Sequence, residues 1–513
     1  MHIKQVIVWA LIGSAFSFTA YGQDAQSDAP QQAPANPPAK EQQAPRFDVW
    51  EYRVQGNTLL ERQDVERAVY PYLGRDKTLK DIEAARGALE RRYHDAGYAT
   101  VLVDIPPQDV VDGIVNLRVT EGKLGRLLIS GSRYFSLQRI RDELPALAEG
   151  EVPYLPTVQE QIARLNQRSG DRAITPVLRP GRTPGTLDVE LHVKDELPLH
   201  GGIEWNNHNS VNTTRQRLSA NLRYDNLWQK EHSLSLQYQT SPQNTSEVQV
   251  LSGTYLWRFT GTDDLLVIYG VNSDSDTATV GDMAVIGKGR IAGVRTIVPL
   301  APHDNYFHSF SVGFDYKDFK ESLRLQGADS LNTPITYINW SFQYNATQRG
   351  AKHTTQFGFG PDFGIRGLVN DPSEFENKRF NSKANYLYLS ANLDSTHMFV
   401  MNSSLRVRAR GQVADSPLIS NEQFAAGGAA GVRGYYEAQV LGDDGISYSL
   451  EWYTPQFAGK LGPRVQDLRL LVFGDGAKLR VRSPLPANDR PNPAGLALDS
   501  LRLRMSTLRC GNY

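Results

Sequence analysis

Period two governs the sequence from His200 onward. Leu218, Ala220, Leu222 and Tyr224 alternate with Arg217, Ser219, Asn221 and Arg223, and Leu234, Leu236 and Tyr238 alternate with Ser233, Ser235, Gln237 and Gln239. The pattern returns over 310–317, 338–344, 405–410 and 446–452, with no clear helix between these segments. Side chains on a strand point to opposite faces in turn, so each segment reads as a strand with one apolar and one polar face.

Strands of this kind could build half of a large soluble β-protein, but polar faces carrying Arg, Gln and Asn would then leave much polar surface to place. A closed barrel in a bilayer accommodates both faces, with lipid outside and water within. Trp257, Tyr269, Phe310, Trp340 and Tyr453 are the candidates for its interfacial aromatic girdles. Hydrophobic residues make up 40% of the 513, yet no stretch holds 18 apolar residues in succession, so a membrane crossing must be made by strands.

The N-terminal residues have a different character. Lys4, a largely apolar run from Val6 to Phe18 and Ala20-Tyr21-Gly22 before Gln23 have the form of a cleaved export signal over 1–22. Residues 23–45 are almost entirely Gln, Ala, Pro, Asp, Ser and Lys, too polar to offset the entropy of ordering, and are expected to be a disordered tether.

Between tether and barrel the pattern predicts two small α+β units, over 46–124 and 125–197, leaving 198–513 for the barrel. In the first, a strand over 47–54 is followed by helices, the second of which begins at the capping box Thr78-Leu79-Lys80-Asp81, shows Ile82, Ala85, Leu89 and Tyr93 on one face and stops at Gly97. Strands over 99–105 and 114–119 complete an order β-α-α-β-β. Val54-Gln55-Gly56-Asn57 is then echoed by Ile129-Ser130-Gly131-Ser132, which predicts a tandem repeat. The second copy has a capping box at Thr157-Val158-Gln159-Glu160, apolar Ile162 and Leu165 behind it, and strands over 175–178 and 186–193 around a turn rich in Gly and Pro.

A net charge of −1 gives no basic field for nucleic acid, and the single cysteine, Cys510, excludes an internal disulfide framework and a cysteine-based zinc site. No H-E-x-x-H, G-x-S-x-G or P-loop motif is present, so no catalytic residue and no enzyme activity are expected. Gly287, Gly289 and Gly293 lie in strand-period sequence with no helix after them and read as small residues on a strand, not as a dinucleotide loop. The closest histidines, His303 and His308, lack a third ligand nearby; no metal or cofactor is expected.

One loop stands apart. Residues 424–435 are rich in glycine and alanine, which permit close approach to a wall, and carry a single charge at Arg433. A guanidinium enclosed in a pore needs a carboxylate, and Asp475 in Phe473-Gly474-Asp475-Gly476 is the candidate. On chain physics alone, Arg433 can equally be one of many solvated pore charges.

The export signal, the paired modules, the alternating strands and the motif Val432-Arg433-Gly434-Tyr435 together resemble the haemolysin and haemagglutinin secretion proteins, the TpsB branch of the outer-membrane assembly superfamily. The resemblance covers roughly residues 47–480. It implies that the modules are POTRA domains and that the barrel follows a sixteen-strand antiparallel plan. A pore loop at about 421–437, between strands eleven and twelve, is expected to fold back so that Arg433 meets Asp475 on the wall. Ala477 stands where the wall motif F-x-D-x-G has its last glycine. Only one further strand, around 501–507, can be placed after Phe473, which suggests that about two closing strands are missing through truncation or a frameshifted end.

The function implied is that of a monomeric outer-membrane transporter with its POTRA domains in the periplasm. Its client would be an unfolded secreted exoprotein, bound by the modules, chiefly the second, and passed through the barrel without nucleotide hydrolysis. The alternatives are a factor that inserts other barrels into the membrane, or a passive porin or receptor, for which two periplasmic modules have no evident use.

Overall fold

The computed structural model describes residues 46–211, 213–275, 277–280, 283–320, 322–324, 330–457, 465–484 and 496–510. The expected export signal and tether lie outside them.

Module 1 comprises β1 (Phe47–Val49), β2 (Glu51–Gln55), α1 (Arg62–Val69), β3 (Gly74–Lys77), α2 (Leu79–Asp95), β4 (Val101–Asp104) and β5 (Ile114–Glu121). The strand expected over 47–54 is divided. The N–H groups of Trp50 and Glu51 both donate to Gly113 O, at 2.8 and 3.2 Å, so β1 turns aside to pair with β3 while β2 runs parallel to β5. α2 starts at the expected capping box, where Thr78 N and Oγ1 donate to Asp81 Oδ2 at 2.8 and 2.7 Å. Its face of Ile82, Ala85, Leu89 and Tyr93 is buried, and it stops before Gly97, whose φ of +96° suits a residue without Cβ.

Module 2 comprises β6 (Lys123–Ser130), α3 (Leu137–Asp142), α4 (Leu155–Arg168), β7 (Arg172–Pro180) and β8 (Thr186–Asp195). The sheet orders β2-β5-β4 and β6-β8-β7 are the same topology, so the predicted repeat extends to the fold. It also extends to atomic detail. Gly56 (φ +85°) and Gly131 (φ +86°) end equivalent strands, and a Cβ at either would lie 2.4 Å from a carbonyl oxygen, of Val119 and Val193 respectively. Beyond each glycine a carboxylate at the end of the last strand collects free backbone N–H groups: Glu121 those of Thr58 and Leu59, Asp195 those of Arg133 and Tyr134.

The capping box expected at Thr157 does not form. Pro156 lies in the first turn, α4 begins at Leu155 with Tyr154 as its N-cap, and Thr157 is already inside the helix. The buried stripe of Val158, Ile162 and Leu165 contains both expected core residues.

Among the described residues, 199–510 supply one antiparallel sheet of fourteen strands in sequential order, two fewer than the sixteen of the expected plan. The first strand (Leu199–Asn206) and the fourteenth (Leu496–Cys510) are its edges. Alternation sorts the two faces: Leu222, Leu251, Phe310 and Leu450 are about half exposed on the outside, while Ser252, Ser311, Ser341 and Ser447 are buried on the inside. Among the described residues no helix is long and apolar enough to cross a membrane.

Of the aromatic residues expected at the interfaces, Trp257, Phe310 and Trp340 share the outward face, where Trp340 packs on Phe314 at 5.2 Å. Tyr269 and Tyr453 point inward, because each hydroxyl binds a buried carboxylate, Asp315 and Glu451 respectively. A helix that periodicity did not reveal, Pro372–Lys378, lies between the ninth strand (His353–Gly364) and the tenth (Leu387–Met398). Its seven residues are too few to show a period; Pro372 and the Asp371 cap define it, and Phe375 buries it against Tyr337 and Tyr386.

Module 2 docks on the turns at the near end of the sheet. Asn226 Nδ2 donates to Tyr134 O at 2.9 Å, Arg168 Nη2 meets Asp263 Oδ1 at 2.8 Å, and Arg172 meets Glu231 at 2.8 Å with both side chains buried. At the opposite end, the segments that carry Phe375 and Leu418–Ile419 fold over the inward face and join its buried core.

Candidate functional site

The loop between the eleventh strand (Ser404–Ala414) and the twelfth (Asp444–Tyr453) folds back against the inside of the sheet, at the position the resemblance implied. Its tip carries Arg433. On the wall, the twelfth and thirteenth (Val465–Arg480) strands pair so that Ser449 lies opposite Asp475 and Glu451 opposite Phe473. All four side chains are on the inward face, and Asp475 stands five residues, about 17 Å of strand rise, below Arg480 at the far end.

Arg433 engages all four. Nε and Nη2 donate to Asp475 Oδ2 and Oδ1 at 2.6 Å each, and Nη2 also donates to Ser449 Oγ at 3.0 Å. Nη1 donates to Glu451 Oε1 at 2.7 Å, and the guanidinium carbon lies 3.5 Å from the centre of the Phe473 ring. The backbone N–H of Arg433 adds a bond to Asp475 Oδ2 at 3.1 Å. The Asp475 side chain is wholly buried by these contacts, and that of Glu451 is nearly so. A planar cation with a fork of donors fits this wall, whereas the point charge of a lysine could not span both carboxylates.

The remaining motif residues shape the tip. Val432 is fully buried with Phe424, Ala426, Ala477 and Leu479, and Tyr435 packs against that cluster. Ala477, the departure from the wall motif, thus places its methyl beneath the loop as part of its seat. Gly434 has φ +99°, a conformation that favours glycine, and turns the chain directly after Arg433. Gly476 lies opposite Tyr448 on one side and Asp499 on the other.

The structure adds residues that sequence reasoning did not single out. Arg408 on the eleventh strand donates to Glu451 Oε1 at 2.9 Å, so two guanidiniums and two carboxylates form one neutral network. Nearer the loop's start, Glu422 is buried and accepts from Lys317 at 2.6 Å, Tyr337 at 2.5 Å and Tyr388 at 3.0 Å. At its end, Asp443 is fully buried and binds both terminal nitrogens of Arg379, just past the helix Pro372–Lys378, together with the N–H groups of Leu418 and Arg482. The N–H of Glu437 donates to Asn209 O at 3.0 Å, which ties the loop to the segment just after the first strand.

The expected absence of metal chemistry at His303 and His308 rested on spacing alone. His308 is engaged otherwise, with Nδ1 3.0 Å from Tyr344 Oη and Nε2 3.2 Å from Ala301 O.

What this arrangement can do is hold a loop against the polar inward face of the sheet by charged and hydrogen-bonded contacts. Each contact can be exchanged for water or for a polypeptide without breaking a covalent bond.

Comparison with known proteins bears on the family and the fold. A model of the ShlB-type POTRA domain matches residues 47–122, and one of the haemolysin secretion/activation proteins ShlB/FhaC/HecB matches residues 185–498. The outer membrane transporter CdiB of Dickeya dadantii is 24% identical over 461 residues, covering 85% of this chain and 77% of that protein. The heme/hemopexin transporter protein HuxB of Haemophilus influenzae is 21% identical over 402 residues, covering 75% and 68%. Among solved structures, CdiB from Escherichia coli superposes with a TM-score of 0.60 at 17% identity, over 91% of this chain and 84% of that one. BamA from Haemophilus ducreyi lacking POTRA domains 1–3 gives 0.51 at 12% identity, over 90% and 97%.

Proposed function

The chain belongs to the haemolysin secretion/activation family of ShlB, FhaC and HecB, and on that premise we propose that it exports one large exoprotein of haemolysin, haemagglutinin or adhesin kind. Members of this family are outer-membrane transporters and not enzymes. The barrel accordingly lies in the outer membrane, the modules stand in the periplasm, and a secreted partner protein is what the transporter serves.

In this reading the client arrives unfolded and is caught on module 2, from Gly125 to Val193. β6 and β7 are the edges of its sheet, and an exposed edge can add a client strand through main-chain hydrogen bonds that tolerate many sequences. The client then passes the loop held at Arg433. Folding outside the cell supplies the direction, and one chain is the working unit.

The observation that carries the proposal is the Arg433 tip seated on Asp475 and Glu451 against the polar inward face of the sheet. A passive porin has no need of so costly a buried charge network, whereas a gate that must yield to a polypeptide does.

The test is made in cells expressing a candidate exoprotein of this kind, with and without the chain, and with a photo-crosslinking residue placed at Val177 on β7. Export that requires the chain, with a crosslink to the client, supports the reading. Client in the medium without the chain would refute it, and loss of other barrels from the membrane in place of lost secretion would identify an insertion factor.

A further inference from the structure

Where module 2 meets the barrel, three side chains from separate segments converge. Asp171 lies in the turn between α4 and β7, His200 is the second residue of the first barrel strand, and Asp225 stands near the end of the second strand (Arg217–Leu227). His200 Nε2 lies 3.0 Å from Asp171 Oδ2 and 3.4 Å from Asp225 Oδ2, and one donor atom from each residue falls within 4.8 Å of the others. Among the described residues this is the one group of histidine, cysteine and carboxylate side chains so arranged.

We propose that Asp171, His200 and Asp225 bind a divalent transition-metal ion, with zinc the occupant that fits best. One imidazole nitrogen offers either a single N–H or a single lone pair, so an N–H aimed at two carboxylate oxygens is divided between them and serves each weakly. A cation among the three atoms satisfies all of them. Zinc bonds of about 2.0–2.1 Å in tetrahedral geometry set ligand atoms roughly 3.3 Å apart, close to the two separations that His200 Nε2 makes. One nitrogen and two oxygen ligands suit zinc, and a water completes the set. The side chains of Asp171, His200 and Asp225 are 13%, 35% and 22% exposed, so an ion can enter without the joint opening.

The surroundings hold the ligands in place. Arg223 Nε donates to Asp225 Oδ2 at 2.8 Å, leaving that oxygen a second lone pair, and the Ser233 hydroxyl bonds Oδ1. Glu196 N donates to Asp171 O at 2.8 Å and Asp171 N to Ser169 Oγ at 3.2 Å, which fix the turn. Arg223 is a competing cation, so the site favours a tightly bound divalent ion over a weakly bound one. Its effect is mechanical. The ion ties module 2 to the first hairpin of the barrel beside the Arg172–Glu231 and Arg168–Asp263 pairs, and so stiffens the joint across which a bound client is handed to the channel.

The test uses the untagged full chain, folded in detergent and stripped with chelator. Co²⁺ is titrated while its visible absorption is followed, and Zn²⁺ is then added. The proposal predicts a saturable cobalt spectrum at one equivalent, abolished by zinc, with affinity reduced more than about 10-fold by His200→Ala and by Asp171→Asn. A wild-type chain with no saturable spectrum overturns it, as does a spectrum unchanged in both variants. The wild-type titration stands even if a variant fails to fold, which its heat-modifiable gel mobility reveals.

Discussion

Arg433 and Asp475, 42 residues apart in sequence, meet edge to edge, with two guanidinium nitrogens 2.6 Å from the two carboxylate oxygens. The remaining terminal nitrogen binds Glu451. One arginine on a loop therefore reads two adjacent barrel strands at once, and the seat is specific in orientation as well as in charge.

The two carboxylates are unequal, which gives a graded prediction. Asp475→Asn removes the bidentate partner and leaves Arg433 with one shared carboxylate; breaking such a pair from one side costs about 3–5 kcal/mol. Glu451→Gln leaves the bidentate pair intact and strands Arg408 more than Arg433. Secretion of the partner should fall in both variants, and further in Asp475→Asn. Equal secretion by the two, at equal levels of folded barrel, would contradict this order.

The loop is also fixed at its far end, where Asp443 binds Arg379, Leu418 and Arg482. Asp443→Ala frees this end while leaving the Arg433 seat untouched. Single-channel conductance in planar bilayers should rise, with more frequent openings, and cells should become sensitive to large antibiotics normally excluded by the outer membrane. Unchanged conductance would mean that the tip alone closes the channel.

How much of this was legible beforehand depended on whether a residue belonged to a pattern. The Arg433–Asp475 pair was legible because glycine and alanine isolate its arginine and a motif marks its aspartate. Glu451, Arg408, Glu422 and Asp443 were not, because a charge at an inward position looks in sequence like any other channel charge; only the register that sets Glu451 opposite Phe473 distinguishes it. Tyr269 and Tyr453 were misplaced for a related reason: aromatic identity suggests an interface, but strand parity and a buried carboxylate partner decide the face. At Thr157 a local signal lost to a stronger one, since Pro156 starts the helix earlier.

Module 2 offers a test of packing. Gly131→Ala must place a methyl 2.4 Å from Val193 O at φ +86°, and the strained backbone alone costs about 1–3 kcal/mol. Gly150, at φ +91° with nothing within 4 Å of a Cβ, provides the control that carries strain without collision. Limited proteolysis should cleave module 2 faster in Gly131→Ala than in Gly150→Ala, with the barrel core protected in both.

Acid should loosen the same module. Burial pushes the Asp195 carboxyl up, but hydrogen bonds from the N–H groups of Tyr134 and Arg133 and the Ser132 hydroxyl outweigh it and hold the group below the usual carboxylate range. A carboxyl with a lowered folded pKa contributes stability above its unfolded value, about 4, and that contribution disappears as pH falls through the folded value. Protease protection of the turn at 131–135 should therefore decline below about pH 4 in the wild type. In Asp195→Asn it should be weaker at neutral pH, and the acid-dependent part of the decline should be absent.

The most direct measurement of the central claim is secretion of the exoprotein client by cells carrying Arg433→Ala against wild type, with folded barrel quantified by heat-modifiable gel mobility. The account predicts that secretion is largely lost, with barrel levels like wild type. Full secretion by Arg433→Ala at matched barrel levels would remove the loop's arginine from the mechanism.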